Sequence, residues 1–326
     1  MTDETEPLDT ELRAVVDEFE AQGVPPWHAL SVESARRLED ELFSAGDGPA
    51  MATVRDIAVD GPGGDLPLRV YRPDAATDAG APLPALVFYH GGGWVLGTLD
   101  SAEDICRELA DRVGCVVASV DYRLAPEHPF PAALEDASVA VEWVRARAES
   151  LGADPARVGV AGTSAGGNLA AATALYAASE GRPPFACQVL LYPITDRSFA
   201  TDSYRENADG PLLTRRDMEW FWERYLRSPA DEHHPFASVL RAPDALSGAT
   251  PGVVATAGHD PLRDEGRAYA DWLGEHAGVD AHHFPSLAHG FCSLTGDVAG
   301  ADAAFDEIAA SVRTRIEAAP GRPPRG

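Results

Sequence analysis

Three side chains suited to nucleophilic and acid–base work stand far apart in this chain, each in a distinctive setting. Ser164 lies within Gly162-Thr163-Ser164-Ala165-Gly166, Asp260 follows Gly258-His259, and His289 precedes Gly290-Phe291. A serine hydroxyl attacks poorly at neutral pH unless a base takes its proton, and imidazole has the basicity for that task. A carboxylate can hold the imidazole in the required tautomer and stabilise the imidazolium that forms. Together these types could perform acyl transfer through a covalent serine intermediate that water then hydrolyses. The tetrahedral intermediate puts negative charge on a former carbonyl oxygen. The backbone N–H groups of Gly91 and Gly92, in the run His90-Gly91-Gly92-Gly93-Trp94, are expected to receive it with that of Ala165. This glycine run lacks the Gly-Lys-Ser/Thr ending of a phosphate loop and the Gly-x-Gly-x-x-Gly of a dinucleotide site.

The elements that must position these groups can be read from periodicity. A short β-branched strand leads into Ser164, and the alanine-rich run 169–178 that follows reads as a buried helix. Gly162 and Gly166 would let strand and helix approach closely around a strained serine whose hydroxyl projects from the sheet end. Further strands are expected at 53–59 and 66–72, as an edge hairpin, and at 85–89, 115–120, 186–191, 252–257 and 281–284. Helices are expected at 101–113, 132–149, 264–276 and 301–318. Strands alternating with helices predict an α/β fold with a mostly parallel sheet, and every candidate falls where a strand ends.

Two regions break the alternation. Residues 1–50 read as two amphipathic helices, with Leu12, Val15, Val16 and Phe19 at helical spacing. Residues 196–243 carry a helix at 214–226 rich in aromatics and would overhang the catalytic edge as a cap. The domain reading is thus an N-terminal part of the cap (1–50), a catalytic domain (51–318) with the insertion, and a flexible tail (319–326). An apolar substrate pocket is expected from Trp94, Tyr192, Leu212, Phe221, Trp222 and Phe291.

Composition narrows the partners. The net charge is −26 over 326 residues and no lysine occurs, all 26 basic residues being arginine. That balance argues against nucleic acid and anionic membranes. A GC-rich genome would favour such a composition, but the expected cause is a surface adapted to high salt, which screens the self-repulsion. The acidic N-terminus and the lack of a long apolar run suggest a cytoplasmic protein without stable membrane association. The four cysteines have no C-x-x-C spacing and read as buried thiols. The pairs His233-His234 and His282-His283 lack carboxylates at ligand spacing, so no metal is expected.

As a set, His90-Gly-Gly-Gly-Trp94, the run Asp121-Tyr-Arg-Leu-Ala-Pro-Glu127, Gly162-Thr-Ser-Ala-Gly-Gly-Asn168, Tyr192-Pro193, the run Asp260-Pro-Leu-Arg-Asp-Glu265 and His289-Gly-Phe291 resemble the hormone-sensitive-lipase family of α/β-hydrolases. The resemblance spans roughly residues 50–318, and the order Ser, Asp, His is the one that fold uses. It implies an eight-stranded sheet flanked by helices with a helical cap. It also implies cofactor-free hydrolysis of a small-molecule carboxylic ester of short or medium chain, by a monomer or homodimer. It assigns Ser164, Asp260 and His289 to the triad and Gly91, Gly92 and Ala165 to the oxyanion hole. His90, Gly93 and Thr163 would support the loops, with Asp121, Arg123 and Glu127 tying them together. Thr163 stands where many members have aspartate, which touches bonding around the turn and not the nucleophile. The family also resembles plant gibberellin receptors that lack the catalytic histidine, but His289 favours an enzyme. An amidase or arylacetamide deacetylase is the alternative enzyme. A long-chain lipase is less favoured, since the acidic chain advertises no exposed apolar face.

Overall fold

A computed structural model describes residues 6–43, 48–74, 81–243 and 250–318. The expected tail at 319–326 lies outside them. Two helices come first, α1 (Thr10–Gln22) and α2 (Val32–Phe43). Asp9 caps α1 by accepting from the Glu11 and Leu12 N–H groups, and Gly23 ends it in the left-handed conformation. The hairpin β1 (Met51–Gly61) and β2 (Gly64–Pro73) turns with Gly61 opposite Gly64.

Alternation then begins with β3 (Leu83–Tyr89), α3 (Glu103–Val113), β4 (Val116–Val120), α4 (Ala132–Arg147), β5 (Ala153–Thr163), α5 (Ala165–Ser179) and β6 (Gln188–Leu191). It is interrupted by α6 (Asp202–Glu206) and α7 (Arg215–Tyr225), and resumes with β7 (Gly252–His259), α8 (Arg263–His276), β8 (Val279–Ala288) and α9 (Ala299–Ala318). The eight strands form one sheet in the order β1-β2-β4-β3-β5-β6-β7-β8. β2 runs antiparallel to both its neighbours, and the other pairings are parallel.

Every residue of β3 is buried, as an unbroken apolar run requires. Ala85, Val87 and Tyr89 join the core under α4 and α5, while Leu86 and Phe88 join the core under α3 and α9. This is the strand's two-residue period with helices covering both faces. The four cysteines are free thiols buried in the core under α3 and α9. β8 runs well past its expected 281–284, because pairing with β7 from Val279 to Ala288 carries it through histidines and Pro285 that obscure its sequence pattern. Among the described residues no helix is long and apolar enough to cross a membrane.

The sheet fixes one consequence for chemistry. β3, β5, β7 and β8 end at Tyr89, Thr163, His259 and Ala288. His90, Ser164, Asp260 and His289 are therefore each the first residue beyond a strand's C-terminal end, on a single edge.

Candidate active site

The turn between β5 and α5 explains the spacing of its glycines. Ser164 has φ 53° and ψ −115°, a conformation that L-residues avoid, and caps the N-terminus of α5. A Cβ on Gly162 would overlap the Gly166 carbonyl, and one on Gly166 would overlap the Tyr89 and His90 carbonyls. Only bare backbone lets β5, α5 and the end of β3 meet this tightly. The Ser164 N–H donates to Leu191 O at 2.8 Å, pinning the turn to β6. Gln188 to Leu191 pair with Val160 to Thr163, so the turn is braced from the neighbouring strand.

Three of the expected residues come together. His289 Nε2 lies 3.1 Å from Ser164 Oγ, and His289 Nδ1 lies 2.8 Å from Asp260 Oδ2. A carboxylate only accepts, so Nδ1 carries the proton and Nε2 presents its lone pair to the serine hydroxyl. Asp260 is fully buried and its Oδ1 accepts from the Leu262 N–H at 2.8 Å, which fixes the carboxylate plane. Register supplies the juxtaposition: His259 of β7 pairs with Ala288 of β8, so the next residue on each strand is Asp260 or His289. The Tyr192 ring packs edge-on against the imidazole, with centroids 4.8 Å apart.

The glycine loop lies against this line. Gly91 sits beside the serine turn, where a Cβ on it would come 3.6 Å from Ser164 Cβ and 3.1 Å from Thr163 Oγ1. Among the described residues the N–H groups of Gly91, Gly92 and Ala165 donate to no carbonyl. His90 turns away from the reaction line. Its Nδ1 donates to Gly91 O at 2.8 Å, its ring stacks on Tyr122 at 4.2 Å, and the Tyr122 hydroxyl donates to His90 O. Burial pushes the His90 imidazole down to about 4, so it stays neutral and braces the loop. Gly93 leaves the space that the Phe221 ring of α7 occupies. The neighbouring loop is tied as well, since Arg36 of α2 donates to Val95 O, Ala125 O and Glu127, and Arg123 pairs with the buried Asp136.

Above Ser164 and His289 lies a cavity of about 390 Å³. Its walls include Gly91, Gly92, Gly93 and Thr163 below, Val16 and Phe19 of α1, Glu39 and Leu42 of α2, and Met218 and Phe221 of α7. Of the expected pocket residues, Tyr192, Leu212 and Phe221 line it. Trp94, Trp222 and Phe291 do not, which corrects the sequence expectation. Trp94 stacks on Tyr225 at 3.9 Å and meets Trp222 in the core behind the loop. Phe291 packs against Tyr192 and Phe284 beneath the histidine turn. All three are buried, so their bulk supports the site from outside.

Sequence reading missed two polar groups on this wall. Asp217 of α7 is buried and accepts from the His28 N–H, the His28 ring and the Thr214 N–H and hydroxyl. It thereby joins the segment Trp27–Ala29 to α7 across the cavity. The signal was present as the capping pattern Thr214-x-x-Asp217. Glu39 is the other; nothing local in its sequence distinguishes it from the charged neighbours on α2.

Comparison with known proteins places this geometry. The family model described as "alpha/beta hydrolase fold" matches residues 86–293. The carboxylic ester hydrolase LipN of Mycobacterium tuberculosis is 44% identical over 283 residues, covering 84% of this chain and 74% of that protein. The ethyl acetate hydrolase of Pseudomonas putida is 39% identical over 86% of this chain and 89% of its own length. Among solved structures, the ester hydrolase EH1AB1 from the metagenome of Lake Arreo superposes with a TM-score of 0.89 at 40% identity, covering 95% of this chain and 99% of that one. With matches of this extent over a strand order and strand-end site of this kind, the chain belongs to the α/β-hydrolase family, in its hormone-sensitive-lipase-like esterase branch.

Proposed function

We propose that this protein hydrolyses small carboxylic esters of short to medium chain, with Ser164 as nucleophile, His289 as general base then acid, and Asp260 as the partner that orients and stabilises the imidazolium. The observation that carries this reading is the continuous hydrogen-bonded line Ser164–His289–Asp260 at the foot of a largely apolar cavity. Ser164 Oγ attacks the ester carbonyl as its proton passes to His289 Nε2. The oxyanion settles among the N–H groups of Gly91, Gly92 and Ala165, each such donor contributing roughly 3 kcal/mol to the transition state. Collapse expels the alcohol, which takes the proton from His289. Water, deprotonated by His289, then attacks the acyl-enzyme and releases the acid.

The segments 1–50 and 196–243 serve as the cap, since helices from both stand on the cavity wall. The relatives named as hydrolases of carboxylic esters and of ethyl acetate support ester over amide substrates. The chemistry needs no cofactor. A cytoplasmic monomer or homodimer acting at elevated salt fits the acidic, lysine-free composition. A panel of p-nitrophenyl esters from acetate to palmitate tests the proposal. Turnover is expected to peak at short or medium chains and to vanish in Ser164→Ala. A variant that keeps turnover, or a wild-type protein that binds esters without cleaving them, would overturn it.

A further inference from the structure

The cavity wall carries polar groups that the hydrolytic cycle does not use. Asp217 is saturated by His28 and Thr214. Glu39 is not. Only 8% of the residue is exposed, it stands on the cavity wall, and its Oε2 is a buried oxygen without a hydrogen-bond partner among the described residues. The Ser101 side chain and the Gly97 backbone lie beside the carboxyl and favour its charged form against burial. A buried acceptor left unpaired is costly, and the cost disappears when a donor arrives.

A second group on the same wall has the same need. His90 donates through Nδ1 to Gly91 O, which leaves Nε2 as a lone-pair acceptor, buried and without a partner. Gly97 links the two. Its backbone lies beside the Glu39 carboxyl, and it packs so closely on the His90 ring that a Cβ there would overlap Nδ1. A largely apolar chamber thus holds, beside the glycine loop, two buried acceptors without donors. Such a setting suits a ligand that brings a hydroxyl, and disfavours a bare alkyl chain.

We propose that Glu39 is a specificity-determining residue that accepts a hydrogen bond from a hydroxyl on the acyl or alcohol chain of the substrate, making hydroxylated esters the preferred class. The inference rests on the esterase reading and deepens it. Burial lifts the Glu39 carboxyl to about 7, with Asp40 adding to the shift and Ser101 and Gly97 opposing it. A hydroxyl suits both protonation states, accepting from the neutral acid or donating to the carboxylate.

The test compares kcat/KM for ethyl hexanoate with ethyl 3-hydroxy- and 6-hydroxyhexanoate, and for butyl acetate with 4-hydroxybutyl acetate. Wild type, Glu39→Gln and Glu39→Leu are assayed by pH-stat. In wild type at least one hydroxylated ester is expected to exceed its parent. That ratio should fall about tenfold or more in Glu39→Leu, where the parent ester gains, and stay within about threefold in Glu39→Gln, which still pairs with a hydroxyl. A purely structural role would lower both members of a pair together and leave the ratio unmoved, which overturns the proposal. So does a wild type that favours every parent ester. A wild type inert toward all five esters overturns the esterase reading itself, and this inference with it.

Discussion

Ser164 keeps its strained backbone because two neighbours have no side chain. Gly166→Ala puts a Cβ into the Tyr89 and His90 carbonyls, and rigid backbone on both sides offers little relief. The expected result is a loss of about 3 kcal/mol or more in urea unfolding, or no folded protein; a variant as stable as wild type would contradict the packing described. Asp260 acts through His289 and touches no substrate. Asp260→Asn should therefore lower kcat by about 10⁴ with little change in KM, read from steady-state kinetics. Glu39 gives a pH signature of its own. Its folded pKa of about 7 lies above the ordinary carboxyl value of 4.5, so between these values the folded state holds a proton that the unfolded state has released. Stability from this group is highest below about 4.5 and declines as pH rises to about 7. Glu39→Gln removes that decline, so the variant should gain on wild type across the window, by at most about 3 kcal/mol. A stability difference that is flat from pH 4.5 to 8 would refute the assignment.

At the scale of elements, α7 divides its work between two faces. Its cap Thr214 and then Asp217, Met218 and Phe221, one turn apart along one face, stand on the cavity wall, while Trp222 and Tyr225 pack on Trp94 behind it. Asp217→Ala would leave the His28 and Thr214 donors unpaired, costing about 2 to 4 kcal/mol locally. KM should rise several-fold while kcat changes less, and proteolysis should quicken in the segment around Trp27; unchanged KM would remove Asp217 from the cap's framework. The same helix marks where sequence reading stopped. Ser164, Asp260 and His289 were legible because each sits in a local motif directly after a strand, and strand ends share one edge in a parallel sheet. The pocket was not legible in the same way. The cluster of aromatics on α7 does not say which of them meets the cavity, so sequence alone puts Trp222 in the pocket with Phe221. Trp94 and Phe291 stand next to the site in sequence, whereas burial turns both into the core. The sequence pattern ends β8 too early because the strand's extent depends on pairing with β7. Glu39 depends on the docking of α2 against the loop around Gly97, a contact between segments some sixty residues apart that no local pattern encodes.

For the whole molecule, 52 acidic residues face 26 arginines, so acids remain in excess even if every arginine is paired. Arg69 alone meets Asp56, Asp100 and Glu103, a local answer to crowded negative charge. Self-repulsion of the remainder should weaken as the Debye length shrinks, and raising KCl from about 0.05 M to about 2 M is expected to lift Tm by about 5 °C or more. A Tm that is level or falls would assign the composition to codon usage alone. Within this acidic shell the chemistry depends on one hydroxyl brought to a neutral imidazole. The most direct measurement is covalent trapping: the protein is treated with a p-nitrophenyl alkylphosphonate, then weighed intact and mapped by peptide mass spectrometry. The expected result is one phosphonyl group per chain, on the peptide holding Ser164, with nitrophenol released in equal amount and labelling lost in Ser164→Ala and strongly slowed in His289→Ala. A stoichiometric adduct on another residue, or ester turnover that survives in Ser164→Ala, would contradict it.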